Sequence, residues 1–128
     1  MNYKQDKKIS ITHYKILLTI YELNKANKYP SIKGVNNILS ASIDSETIKY
    51  KDLKTYGTLL SYSGRKISSC VIYLVRNDYI RFIYKNGSND KYLILTDDGE
   101  DIMNDYQKNH KINLKKKNII RKDEIVEL

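Results

Sequence analysis

The chain has 128 residues, 41% hydrophobic and 30% charged, with 23 Lys and Arg against 15 Asp and Glu. That length supports one core but not two, and the net charge of +8 with a pI near 9.4 points to a polyanionic partner, nucleic acid before an anionic membrane surface. A single cysteine excludes an internal disulfide and any multi-cysteine zinc site, and no apolar stretch approaches the ~20 residues that span a bilayer.

Residues 1–9 are polar and basic and read as a flexible N-terminal arm. Lys4, Lys7 and Lys8 ahead of Ile16-Leu17-Leu18 mimic the start of a signal peptide. His13 and Lys15 interrupt that apolar run, and no small-residue cleavage site follows, so a cytoplasmic protein is expected. Ser10 is a candidate N-cap for a helix whose apolar positions Tyr14, Leu17, Leu18 and Tyr21 recur at i, i+3, i+4 and i+7. Residues 24–28 form a polar exit, and Tyr29-Pro30 enforces an extended break. Ser31 can cap a second, short helix carrying Ile32, Val35, Ile38 and Leu39.

Residues 40–57 are the least regular stretch. Ile48, Leu53 and Tyr56 suggest a short third helix that Gly57 would end, and Thr58-Leu59-Leu60 is either a small strand or a hydrophobic link. The main helix starts at Ser63-Gly64-Arg65-Lys66 and places Ile67, Cys70, Val71, Leu74 and Val75 on one face. Cys70 on that face reads as a small hydrophobe rather than a nucleophile.

After Asn77-Asp78 the period drops from 3.6 to about 2. Residues 79–84 read as a strand, Asn86-Gly87 as a hairpin turn, and residues 91–95 as the returning strand. Thr96-Asp97-Asp98-Gly99 opens a closing helix of about ten residues with Ile102, Met103 and Tyr106. Residues 108–128 form a basic tail in which Ile112, Leu114, Ile119 and Ile120 are interspersed among lysines. The order predicts a mainly α fold with a small β-hairpin, a winged helix-turn-helix, occupying residues 10–107.

Catalytic patterns are missing from the sequence. It holds no phosphate-binding Gly-x-x-x-x-Gly-Lys-Ser/Thr loop, no Gly-x-Ser-x-Gly elbow and no His-Glu-x-x-His helix. His13 and His110 lie far apart without metal-ligand spacing, so neither a metal nor another cofactor is expected. Acids at Asp97, Asp98 and Glu100 are explained by the dipole of the helix they open. Arg65 and Lys66, in contrast, occupy a first helical turn where cations are disfavoured, which suggests a phosphate or base partner. Ser61, Ser63 and the Gly64 amide can add neutral phosphate contacts there. The wing offers Arg81, Lys85 and Lys91 with Tyr84 and Tyr92 interleaved. Strand alternation sets Arg81 and Ile83 on one side and Phe82 and Tyr84 on the other. The tyrosines would either stack on unpaired bases or, most plainly for Tyr92, pack beneath the wing as core.

Over roughly residues 12–103 the chain resembles the RQC domain, the winged helix that follows the zinc subdomain in RecQ-type DNA helicases. The resemblance rests on the Ile38-Leu39-Ser40-Ala41-Ser42 turn and the Tyr56-Gly57 pair before the main helix. It rests also on Leu74-Val75-Arg76-Asn77-Asp78-Tyr79-Ile80, similar to the family's Leu-Ile-x-x-Gly-Tyr-Leu exit, and on Leu95-Thr96-Asp97-Asp98-Gly99 closing the wing. The long segment from Ser40 to Gly57 distinguishes this pattern from a generic winged helix.

The resemblance implies a non-catalytic module that binds duplex or structured DNA, such as a fork. Ser40 and Ser42 match its phosphate-contacting turn, Arg65 and Lys66 the start of its recognition helix, and residues 85–91, including Asn86, its wing tip. The family's turn is commonly Gly-Ser with a basic residue nearby, whereas here Ser-Ala-Ser has Asp44 and Glu46 close by. Strand-separating members carry an aromatic at the tip, where this chain has Asn86-Gly87-Ser88-Asn89-Asp90, so a contact surface is expected rather than a wedge. No helicase ATPase motif is present, and Met1 favours a stand-alone protein that serves a helicase or another DNA-processing protein. Two alternatives stay open. One is a dimeric transcriptional regulator using the apolar residues of the tail as a dimerisation helix, and the other is a winged helix used for protein–protein contacts.

Overall fold

The computed structural model describes residues 9–42 and 49–110. Four helices and one antiparallel hairpin follow in the order α1 (Ile11–Lys25), α2 (Ile32–Leu39), α3 (Gly64–Arg76), β1 (Ile80–Tyr84), β2 (Lys91–Leu95) and α4 (Asp97–Asn109). This is the winged-helix arrangement expected from the sequence. The helix starts are fixed by hydroxyl caps. Ser10, Ser31, Ser63 and Thr96 each accept a hydrogen bond from the amide three residues on. At α1 the cap is reciprocal, because His13 Nδ1 accepts the Ser10 amide in return at 3.0 Å.

The first three helices end alike. Asn27, Ala41 and Asp78 sit in the left-handed region at φ 60°, 57° and 64°. In each case the next amide reaches back across the last turn: Lys28 to Leu23 O, Ser42 to Asn37 O, and Tyr79 to Leu74 O. These are Schellman closures made without glycine, which ordinarily takes that position.

The core is centred on α1. Ile16, Leu17 and Ile20 are fully buried against Val35, Leu39, Ile67, Val71, Leu74, Tyr79, Ile80, Leu93 and Met103. Each such side chain contributes ~1.5–3 kcal/mol by leaving water. The stripe of Tyr14, Leu17, Leu18 and Tyr21 understates this helix, since Thr12, Ile16, Thr19, Ile20 and Leu23 are buried as well. A second cluster of Leu23, Ile38, Ala41 and Tyr56 holds the long connection, with Tyr50 and Leu53 packed on it.

The expected third helix is corrected in part. Residues 49–61 run as a succession of turns, while Ile48 lies outside the described residues. Leu53 and Tyr56 still return to the core, because backbone bonds to the end of α2 hold the segment. The Gly57 amide donates to Ile38 O and the Leu59 amide to Leu39 O, both at 2.9 Å, and Gly57 takes φ 72°. Thr58-Leu59-Leu60 is a link and not a strand. The wing's contact with an extended segment is instead at Pro30, whose carbonyl accepts the Leu93 amide at 2.8 Å.

The side chain of Asn24 on α1 completes this edge of β2. Its Oδ1 accepts the Leu95 amide at 2.9 Å, and its Nδ2 donates to Lys28 O at 3.0 Å and to Leu93 O at 3.4 Å. Ile9 is buried and α4 reaches Asn109. The rest of the N-terminal arm and the basic tail from 111 onward lie outside the described residues. No helix among the described residues is long and apolar enough to cross a membrane.

Candidate nucleic-acid interface

Three chain segments contribute the candidate side chains. The first is the start of α3. Ser63 caps it by accepting the Lys66 amide at 3.1 Å, and helix geometry leaves the Gly64 and Arg65 amides without intrahelical acceptors. No acid occupies this first turn, and Arg65 and Lys66 are both exposed. Lys66 Nζ lies 4.3 Å from the centroid of the Tyr62 ring, which steadies the cation without neutralising it. One turn further on, burial raises the Cys70 thiol pKa, partly offset by Lys66, so the residue is a protonated, half-buried thiol.

The second segment is the turn after α2. Asn36 of α2 packs on the start of α3 so closely that a Cβ on Gly64 would stand 3.0 Å from Asn36 Nδ2. Ser40 is four residues on and therefore projects from the same side of α2. The Ser40 hydroxyl donates to Asn36 O at 2.8 Å, so its hydrogen is already used within the helix end. The Ser42 amide closes the α2 terminus on Asn37 O, and its side chain is half-buried. The expected acids Asp44 and Glu46 lie outside the described residues.

The third is the wing. Its register pairs Ile80 with Leu95, Arg81 with Ile94, Phe82 with Leu93, Ile83 with Tyr92 and Tyr84 with Lys91. One face therefore carries Ile80, Phe82, Leu93 and Leu95 towards the core and ends in Tyr84 and Lys91. Tyr84 is 59% exposed, and Lys91 Nζ lies 5.2 Å from the Phe82 ring centroid. The other face carries Arg81, Ile83, Tyr92 and Ile94.

Tyr92 is therefore not beneath the wing; the core position belongs to its neighbour Leu93. Arg81 is likewise set apart from Tyr84 and Lys91. Its Nε lies 3.3 Å from Asp78 Oδ1 in a solvent-exposed pair, which adds little stability. Lys85 and Asn86 are exposed at the tip, where Gly87 adopts φ 74° and the Ser88 amide donates to Lys85 O.

The charge is segregated. Asp97, Asp98, Glu100, Asp101 and Asp105 all lie on α4, against Lys108. In the other described elements and loops the acids are only Glu22, Asp52, Asp78 and Asp90, and bases predominate. An acidic helix on one element leaves the rest of the surface more positive than the net charge alone implies. Asn24 was the structurally important side chain that sequence reasoning missed. A lone Asn in a polar helix exit carries no pattern that distinguishes it from an ordinary surface residue.

A family model described as the RQC domain matches residues 4–123. No curated protein matches the chain.

Proposed function

The chain belongs to the RQC domain family, and from that membership we propose that it is a non-catalytic module that grips duplex or forked DNA. The observation that carries this reading is the pairing of an acid-free, cation-bearing start of α3 with an exposed basic wing. Arg65 and Lys66, with the free Gly64 and Arg65 amides, hold one phosphate run. Lys85, Asn86 and Lys91 hold another, and Tyr84 rests on the sugar or base edge between them. Ser63 and Ser42 supply neutral contacts to phosphate, whereas Ser40, whose hydroxyl hydrogen is used at the end of α2, accepts from a donor such as a base amino group. Arg81, on the opposite strand face, approaches the backbone only on leaving Asp78. The polar tip from Asn86 to Asp90 makes the wing a contact surface rather than a wedge. The protein then acts beside a helicase or another DNA-processing protein.

Phosphate neutralisation dominates such binding. With about six cations engaged, log K against log salt falls with a slope of about −5. Fluorescence anisotropy with blunt duplex and fork, across salt concentrations, tests the reading. Charge reversal at Arg65 and Lys85 should weaken binding to every duplex and flatten the slope. A salt-independent Kd, or unchanged binding by that double variant, refutes it.

A further inference from the structure

A second surface, separate from the start of α3, has the chemistry of a nucleotide site. Between the end of α1 and α2 lies a cavity of about 300 Å³, bordered by Lys28, Tyr29, Pro30, Lys33, Asn37 and Tyr50. That volume is at the lower end for a small-molecule site and suits one nucleotide unit. Tyr29, one of the residues that border it, is 41% exposed. Tyr50 borders it too, with Lys28 Nζ 5.0 Å and Lys49 Nζ 5.3 Å from its ring centroid. Among the described residues, no carboxylate lines the cavity. Lys33 and Asn37 are four residues apart and share the α2 face that borders it. Asn36, against the start of α3, leaves from another side of the helix.

We propose that this cavity binds an unpaired nucleotide of a single strand. Its base stacks on Tyr29 and its phosphates are held by Lys28 and Lys33. Aromatic platforms combined with a cationic rim bind single strands without sequence preference, because every base offers a flat face. One backbone bond, from the Leu93 amide to Pro30 O, tethers the cavity to β2 of the wing. One side of the molecule thus meets a paired segment and the other an unpaired one. This deepens the DNA-binding reading and rests on it only for the paired segment.

The test uses the full chain and two probes. A short oligothymidylate is titrated alone, with amide chemical shifts followed by NMR. Anisotropy compares a blunt duplex with the same duplex bearing a thymidine overhang. Shifts are expected at Tyr29, Lys33 and Asn37, and the overhang should tighten binding. Tyr29→Ala should remove about tenfold in overhang affinity, Tyr29→Phe should restore it, and both should leave blunt-duplex affinity unchanged. Lys28→Glu with Lys33→Glu should abolish the oligothymidylate shifts. The proposal is overturned if oligothymidylate moves none of these amides, if Tyr29→Ala leaves the overhang advantage intact, or if polyglutamate rather than oligothymidylate moves them. The last result would make the cavity an acidic-peptide site. Loss of blunt-duplex binding by charge reversal at Arg65 and Lys85 reports on the α3 and wing surfaces and not on this cavity, so the two readings fail separately.

Discussion

Replacing Asn24 by alanine tests how the wing is fastened to the helical core. The side chain acts as a surrogate strand: its oxygen accepts the Leu95 amide at 2.9 Å, and its nitrogen donates to Lys28 O at 3.0 Å and more weakly to Leu93 O at 3.4 Å. Truncation leaves the Leu95 amide facing a half-buried edge without an acceptor and removes a donor from the Lys28 carbonyl just past the end of α1. An intramolecular hydrogen bond is worth ~0.5–1.5 kcal/mol net, and an orphaned half-buried amide costs ~1–3 kcal/mol. Partial access of water offsets some of that loss, so Asn24→Ala should destabilise by about 2–3 kcal/mol. Urea denaturation followed by circular dichroism measures it. Hydrogen exchange supplies an internal control. The Leu95 amide should lose protection beyond the global loss, whereas the Leu93 amide, bonded to Pro30 O, should follow global stability. A loss below about 0.5 kcal/mol, or equal responses at Leu93 and Leu95, would refute the reasoning.

Other substitutions probe single contacts. Gly99→Ala improves helix propensity by about 1 kcal/mol, yet its Cβ would collide with the Tyr79 carbonyl oxygen and stand 2.8 Å from Leu95 Cδ1. A net destabilisation of about 3 kcal/mol is expected by thermal denaturation, and a neutral result would show that the start of α4 can shift. Burial lowers the His13 pKa below 6.5, and its Nδ1 must be unprotonated to accept the Ser10 amide. The unfolded chain therefore binds this proton first. Stability from His13 is full above pH 6.5 and is lost as pH falls towards the lowered folded value. Denaturation midpoints of His13→Gln should decline less over that window than those of the natural chain. Asp78→Gly removes the left-handed strain at φ 64° and the exposed pair with Arg81, so stability should rise by about 0.5 kcal/mol. Duplex affinity should also rise as Arg81 is released, which anisotropy would detect.

Local chemistry accounts for what was legible in the chain. Hydroxyl residues three positions ahead of an amide fixed the helix starts at Ser10, Ser31, Ser63 and Thr96. The change of period after Asp78 marked the hairpin, and strand alternation correctly separated Arg81 from Tyr84. Each signal depends on neighbours within one or two turns.

What tertiary structure decided depends on partners distant in sequence. Residues 49–61 became turns because the end of α2 offers Ile38 and Leu39 carbonyls to Gly57 and Leu59, and no periodicity records such acceptors. Tyr92 lost the core to Leu93 because register, not hydrophobicity, chooses which face of β2 meets α1. Asn24 became the wing's fastener because its amide meets β2 some seventy residues later in the chain. The cavity beside Tyr29 likewise exists only where the α1–α2 connection meets Tyr50. The sequence alone determined the four capped helices and the wing, since those choices are made within a few residues, but not the course of residues 49–61. The placing of one segment on another was left to backbone acceptors and side-chain amides that meet only in the folded chain.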